Sequence, residues 1–409
     1  MVPSPSRLPP IAMTGPRAWL RDNLFSSLGN SIASVLTLAF LLWMSVNVFQ
    51  WAFFEASWGP VWNNLKLFAV YRYPNELLWR PMGIVSMVMA LLGLSAGVAQ
   101  ASKSDIIRGV FWSFSGLVFL ITIVALFSWE SVRLWWLLAS FGALAGYALG
   151  RELPWLVRTL PWLWGASLPL GFLLLYGLPG DNESLLRVVS TRDWGGFMLT
   201  LILSAVGIVV SFPLGIALAL GRRSKLPAIK YFCIGFIEIV RGAPLISWLF
   251  IASLLVPLLF NVSPERIGPL NRALVAVTLF SAAYMAENVR GGLQAVAKGQ
   301  REAAQALGLG GWQTLRLIVL PQALKAVIPA IVGQSIGLFK DTSLVFIVGL
   351  FDFFNVANTI VANQPESLLV TGGIRLELSL FVALIYFFFA YRMSIASRQL
   401  ERSLGVGSR

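Results

Sequence analysis

Six stretches of this 409-residue chain, at 23–54, 81–102, 109–129, 159–180, 194–221 and 242–264, contain no charged side chain. Each exceeds the roughly 20 helical residues needed to cross ~30 Å of hydrocarbon. A seventh uncharged run, 134–150, has 17 residues and lies between Arg133 and Arg151, whose side chains can snorkel to the interfaces. Three further apolar segments, 273–296, 325–349 and 374–394, carry charge inside or at an edge. Backbone that enters lipid has to satisfy its own hydrogen bonds, so these runs read as helices. The expected fold is an all-α integral membrane protein of about ten transmembrane helices. Composition agrees: apolar residues make up 57% of the chain and charged residues only 12%, against about 25% charged in a soluble domain.

The basic residues sit between the apolar runs. With the N-terminus inside and the spans alternating, 21 Lys and Arg fall on inside segments and 9 on outside ones. Lys340, within a span, is assigned to neither side. The positive-inside rule then places both termini of this multi-pass membrane protein in the cytoplasm. Residues 342–374 contain no Lys or Arg and belong outside. The net charge of +13 is explained by topology, so nucleic acid is not an expected partner. The lipid bilayer is. The first run is too long for a cleaved signal and reads as a signal anchor. Trp residues near span ends, such as Trp51, Trp58, Trp79, Trp129, Trp135 and Trp136, read as interfacial anchors.

Histidine is absent, and Cys233 is the only cysteine. Intrachain disulfides, His-based acid–base chemistry and His-containing zinc sites are therefore excluded. Cys233 lies in an apolar stretch and reads as a core residue.

The segment 297–325 is the longest polar interruption in the second half. Gln300–Leu307 is rich in helix formers. Gly308 is a natural C′ stop, and Gly310-Gly311 make a tight turn. Trp312–Val319 reads as a second short helix, with Pro321 after it. A helix–turn–helix on the positive side of a membrane protein suits docking rather than spanning.

Glu302-Ala303-Ala304, then Gly308, then Ile318-x-Leu320-Pro321 resembles the EAA loop of binding-protein-dependent ABC importer permeases. Ala283-Tyr284-Met285-Ala286-Glu287-Asn288-Val289-Arg290-Gly291-Gly292 leading into Lys298-Gly299-Gln300 is similar to the AAYxxExxRGG…KGQ signature of the polar amino-acid uptake branch. Arg241-Gly242-Ala243-Pro244-Leu245 resembles its RGTPL motif, with Ala243 in place of Thr. Lys340-Asp341-Thr342-Ser343-Leu344 resembles its KDTSL motif. Trp248 stands where that branch often has Gln, a departure that fits the long general L-amino-acid permeases. The resemblance is strong over roughly 194–405 and only architectural before it.

The resemblance implies a type I importer-like core of five helices, coupled through the 297–325 loop to cytoplasmic ATPase subunits. Substrate would come from a periplasmic amino-acid-binding protein, and a second, different permease subunit would complete the pathway. ATP would be bound by the partner ATPases, since this chain has no G-x-x-x-x-G-K-[ST] motif and no cofactor of its own is expected. The expected organisation is a cytoplasmic tail at 1–22, an accessory block of about five spans at 23–180, an external linker at 181–193, the core at 194–400 and a short tail at 401–409.

Charges inside spans are costly and default to functional candidates. Glu287 and Arg290, at i and i+3, share a helix face. They read as a pair bracing the loop, with pathway lining as the other reading. Lys340 and Asp341 point different ways around their helix and fit either role. Arg241, Gly242 and Pro244 separate a short helix (227–240) from a span (245–260) and read as a hinge or as a plain helix break. Ser211-Phe212-Pro213 is expected to kink the span before them. A competing reading, an ion-coupled secondary amino-acid transporter, uses the same charges but leaves the helix–turn–helix loop unexplained and lacks a visible inverted repeat.

Overall fold

The computed structural model describes residues 15–101, 105–128, 132–179, 184–259, 261, 267–363 and 374–405. Residues 1–14 of the expected N-terminal tail, 181–183 of the linker, 364–373 of the external stretch and 406–409 of the C-terminal tail lie outside this set. So do the inside residues Arg7, Lys103 and Arg409, the outside residue Arg266 and the expected anchor Trp129. The chain divides into two compact units, Met1–Pro60 and Val61–Arg409.

The first unit is built on α1 (Leu28–Gln50). Ser27 caps it, its hydroxyl accepting from Asn30 N at 3.2 Å. The helix continues through a π-turn, Trp51–Glu55. None of its residues is buried by protein, as suits a helix solvated by lipid.

The second unit holds α2 (Trp79–Ala101), α3 (Asp105–Ser128), α4 (Arg133–Glu152), α5 (Leu160–Tyr176), α6 (Gly196–Gly221), α7 (Pro227–Arg241), α8 (Leu245–Leu259), α9 (Pro269–Ala295), α10 (Lys298–Ala306), α11 (Gly311–Val348), α12 (Phe353–Ala362) and α13 (Arg375–Ser403). Five helices, one of them α1, are by length and composition alone fit to cross a membrane; the number rises to six if α7 and α8, bent by 106° at their junction, form one span. The other four segments, α3, α4, α5 and α9, are shorter apolar stretches or are interrupted by charge, as Arg272, Glu287 and Arg290 interrupt α9. Together they agree in outline with the ten expected. α6 runs through Pro213 without a break in its helix.

Small residues set the closest packing. Gly93 and Gly97 on α2 face Gly146 and Gly150 on α4. A Cβ at Gly93 would lie 2.9 Å from Tyr147 N, and one at Gly146 3.0 Å from Leu94 N. Two reciprocal small-xxx-small ridges thus bring the backbones together, as lipid-embedded helices require when no hydrophobic force drives them.

Hydrogen bonds tie the helices before residue 180 to the rest of the second unit. Arg80 is fully buried, and its Nη2 donates to the carbonyls of Leu185 at 2.7 Å and Arg187 at 2.9 Å. Within the earlier part, Tyr73 Oη donates to Leu175 O at 2.8 Å. At the other end, Arg392 Nη2 on α13 donates to Gly109 O on α3 at 2.8 Å. The core proper is the packing of α6, α9 and α11. Trp194, Leu199, Leu203, Leu270, Val277 and Val345 fill one half. Ala219, Ile237, Met285, Val289, Val319 and Ala323 fill the other.

Candidate functional site

The loop expected to dock a partner forms as a helix, a glycine turn and a second helix. α10 ends where Leu309 N donates to Ala304 O at 3.1 Å and Gly308 N to Gln305 O at 2.9 Å. This double closure needs a left-handed residue, and Gly308 supplies it with φ +80°. Gln313 Oε1 accepts from Gly310 N at 3.0 Å and starts the next helix. Ala304 is buried, whereas Glu302 and Ala303 are exposed. Leu307 is 82% exposed and Trp312 66%. Two large apolar side chains thus project from a short polar element.

One expectation is corrected here. Trp312–Val319 is not a separate short helix followed by Pro321. The helix that begins at Gly311 continues into the membrane as α11, with Leu320 and Pro321 inside it. Proline lacks an N–H and its ring crowds the carbonyl four residues back. The π-turn at Leu315–Val319 opens the ladder just before it, and Ile318 sits in that turn. Gln322 Nε2 donates to Ile318 O at 3.0 Å and to Gln300 Oε1 at 3.2 Å, pinning α10 to the base of α11.

Behind the loop, two motifs far apart in sequence meet. Arg290 Nε donates to Glu287 Oε2 at 2.9 Å, and its Nη2 donates to Glu287 Oε1. Arg241 Nη1 lies 3.4 Å and Arg222 Nη1 3.8 Å from Glu287 Oε2. Arg222 also bonds Glu238 at 2.8 Å. The Arg241 guanidinium lies over the Tyr284 ring, 5.5 Å from its centroid. One carboxylate therefore ties together the ends of α6, α7 and α9. Between α7 and α8, Gly242 has ordinary right-handed dihedrals, and Pro244 is the N-cap of α8 rather than a residue of its first turn. Trp248 Nε1 donates back across the break to Val240 O at 3.0 Å.

A polar chain that sequence reasoning misses crosses the core. Ser281 Oγ donates to Ser211 Oγ at 3.1 Å, and Gln334 Nε2 donates to Ser281 O at 2.8 Å. Asn288 Nδ2 donates to Gln334 Oε1 at 2.8 Å. The chain joins α6, α9 and α11. Its only signal in the sequence is the occurrence of lone polar residues in otherwise apolar spans. Lys340 and Asp341 stand apart from this chain and from Glu287. Both are exposed, near the opposite end of α11, and neither forms an ion pair among the described residues. No cluster of three metal-ligating side chains occurs among the described residues.

Residues 211–406 match the family described as "Binding-protein-dependent transport system inner membrane component". The chain is 36% identical over 405 residues to the inner membrane amino-acid ABC transporter permease protein YhdY of Escherichia coli (strain K12), covering 95% of this chain and 93% of the relative. It is 35% identical to the glutamate/glutamine/aspartate/asparagine transport system permease protein BztC of Rhodobacter capsulatus, covering 97% and 95%. Among solved structures, a chain described as "Crystal structure of an amino acid ABC transporter with histidines" aligns over 51% of this chain and 92% of its own, at 29% identity and TM-score 0.45.

Proposed function

Because the chain belongs to the family of binding-protein-dependent transport system inner membrane components, we propose that it is a permease subunit that carries L-amino acids inward across the bacterial inner membrane. The family works with an external binding protein and with ATPase partners. The proposed arrangement has both termini cytoplasmic, ATP bound by the partner ATPases, and a second, different permease subunit across the pathway. Residues 23–180 act as an accessory block and 194–400 as the moving core.

The observation that carries this reading is the loop at 297–325. Its first helix ends in a glycine-closed turn, Leu307 and Trp312 are exposed, and its second helix runs on without interruption as α11. In this reading Glu302, Ala303, Ala304, Gly308, Ile318, Leu320 and Pro321 form the element that meets an ATPase groove. Closure of the ATPases then moves α11 as a rigid body. Glu287 and Arg290, with Arg241 and Arg222, brace the base of that element, and Arg241-Gly242-Ala243-Pro244 sets the bend between α7 and α8. Lys340 and Asp341, at the far end of α11, are the candidates for pathway lining.

The test is uptake of labelled amino acids into vesicles that hold this chain with its ATPases, its second permease and its binding protein. Uptake that requires ATP and every partner is the expected result. Accumulation driven by an ion gradient without ATPases would overturn the proposal.

A further inference from the structure

Where α11 stops, at Gly349, the second unit opens a cavity of about 290 Å³. Three arginines line it, Arg72, Arg192 and Arg272, together with Tyr71 and Phe351. Three chain segments meet to build it. Tyr71 pairs with Trp194 in an antiparallel bridge, and Gly195 and Gly196 pair with Phe351 and Asp352 in parallel ones. Gly195 is required at this crossing, since a Cβ there would fall 2.5 Å from Tyr71 Cβ and 2.6 Å from Phe351 O.

The wall is ordered as a stack. The Tyr71 and Phe351 rings lie 5.2 Å apart at 25°, and the Arg72 guanidinium lies over Tyr71 at 5.2 Å. Tyr71 holds this place with φ 58° and ψ −122°, a positive-φ conformation that is rare for a bulky residue and that clusters at ligand-binding positions.

The charges of the cavity are not answered from within. Among the described residues no carboxylate lies within ion-pair distance of Arg72, Arg192 or Arg272. Arg272 is only 9% exposed. Its Nη1 donates to Ser253 O at 2.6 Å, and its Nε is buried without a hydrogen-bond partner. Three like charges around one small cavity repel one another, and an anion between them removes that cost. The guanidinium fork is matched to the planar carboxylate, and the volume is that of a small-molecule pocket rather than a macromolecular groove.

We propose that this cavity is an outward-facing site for the carboxylate of a small solute, completed by Tyr71 and Arg72 from the turn that precedes α2. The site rests on the permease reading above and assigns the region before the core a share in ligand capture.

The test uses the full chain in lipid nanodiscs, titrated calorimetrically with succinate, L-glutamate, sulfate and ethanolamine. Succinate and L-glutamate bind and ethanolamine does not. Arg72→Gln and Arg192→Gln each weaken both carboxylates at least about tenfold, the loss of one charge-assisted contact. Arg192→Lys keeps the charge but loses the fork, and its affinity falls between those of the wild type and Arg192→Gln. Arg72 and Arg192 are exposed, so these variants retain the wild-type melting temperature. Failure of succinate and L-glutamate to bind the folded wild type overturns the proposal. So does unchanged binding in the Arg72→Gln/Arg192→Gln double variant, or sulfate binding as tight as succinate. ATP-driven uptake is read separately in the assembled complex: its absence beside intact succinate binding sinks the transport reading and leaves the carboxylate site standing.

Discussion

Glu287 meets Arg222, Arg241 and Arg290 at once, so its removal strips Arg241 and Arg290 of their carboxylate and leaves Arg222 only Glu238. Replacing one member of a partly buried ion cluster costs more than the pair itself is worth, because the remaining charges lose their partner. Glu287→Gln should destabilise the chain by about 1–3 kcal/mol, read as a lowered melting temperature in detergent or nanodiscs. Adding Arg241→Gln should recover part of the loss, and a strictly additive double variant would show that the two side chains do not interact. Half of this cluster is legible in the sequence. Glu287 and Arg290 are three residues apart on one helix, and local spacing is enough to pair them. Sequence marks Arg241 only as part of a hinge and Arg222 only as an inside charge, since their meeting depends on how α6, α7 and α9 pack. Ser211, Ser281 and Gln334 escape notice for the same reason. No local pattern marks a single hydroxyl or amide whose partner lies on another helix.

Among elements, the coupling loop is the most legible, because its shape is set within ten residues. The position of Gly308 fixes where α10 ends, whatever surrounds it. Gly308→Val should strain the left-handed turn by about 1 kcal/mol or more; in the assembled transporter, ATP hydrolysis should then proceed with reduced uptake, and wild-type coupling in that variant would count against the loop's role. The junction with α11 is harder to read because Pro321 looks like a stop. A proline in the first turn of a span, preceded by a π-turn, permits a helix to pass. Pro321→Ala should let the π-turn relax, advance the register of α11 relative to α10, and lower coupled uptake while leaving the fold intact; circular dichroism and uptake measured together check this. The α2–α4 ridge is silent in the sequence although both glycine pairs stand in plain view, since a small-xxx-small pattern acquires meaning only beside its partner. Gly146→Leu should force these helices apart, and size-exclusion profiles should show aggregation or loss of the monodisperse chain.

For the whole molecule, charge asymmetry alone predicts the sidedness. Cys233 is the only cysteine and is buried, so a Cys233→Ala background is a clean one for labelling. In it, Arg72→Cys should react with a membrane-impermeant maleimide added outside intact cells, and Gly299→Cys only after the membrane is opened. The reverse pattern would invert the topology. The number of spans is legible because lipid imposes a length. The division of the second unit is less so, because Arg80 joins the earlier helices to residues 185–187 through backbone carbonyls that leave no trace in composition. The 38 residues of α11 correspond to roughly 57 Å of rise, with the proposed ATPase contact at one end and the arginine cavity at the other. Two ligands bound to the ends of one moving rod must influence each other equally. Whatever factor nucleotide imposes on carboxylate affinity, carboxylate must impose on nucleotide affinity in return.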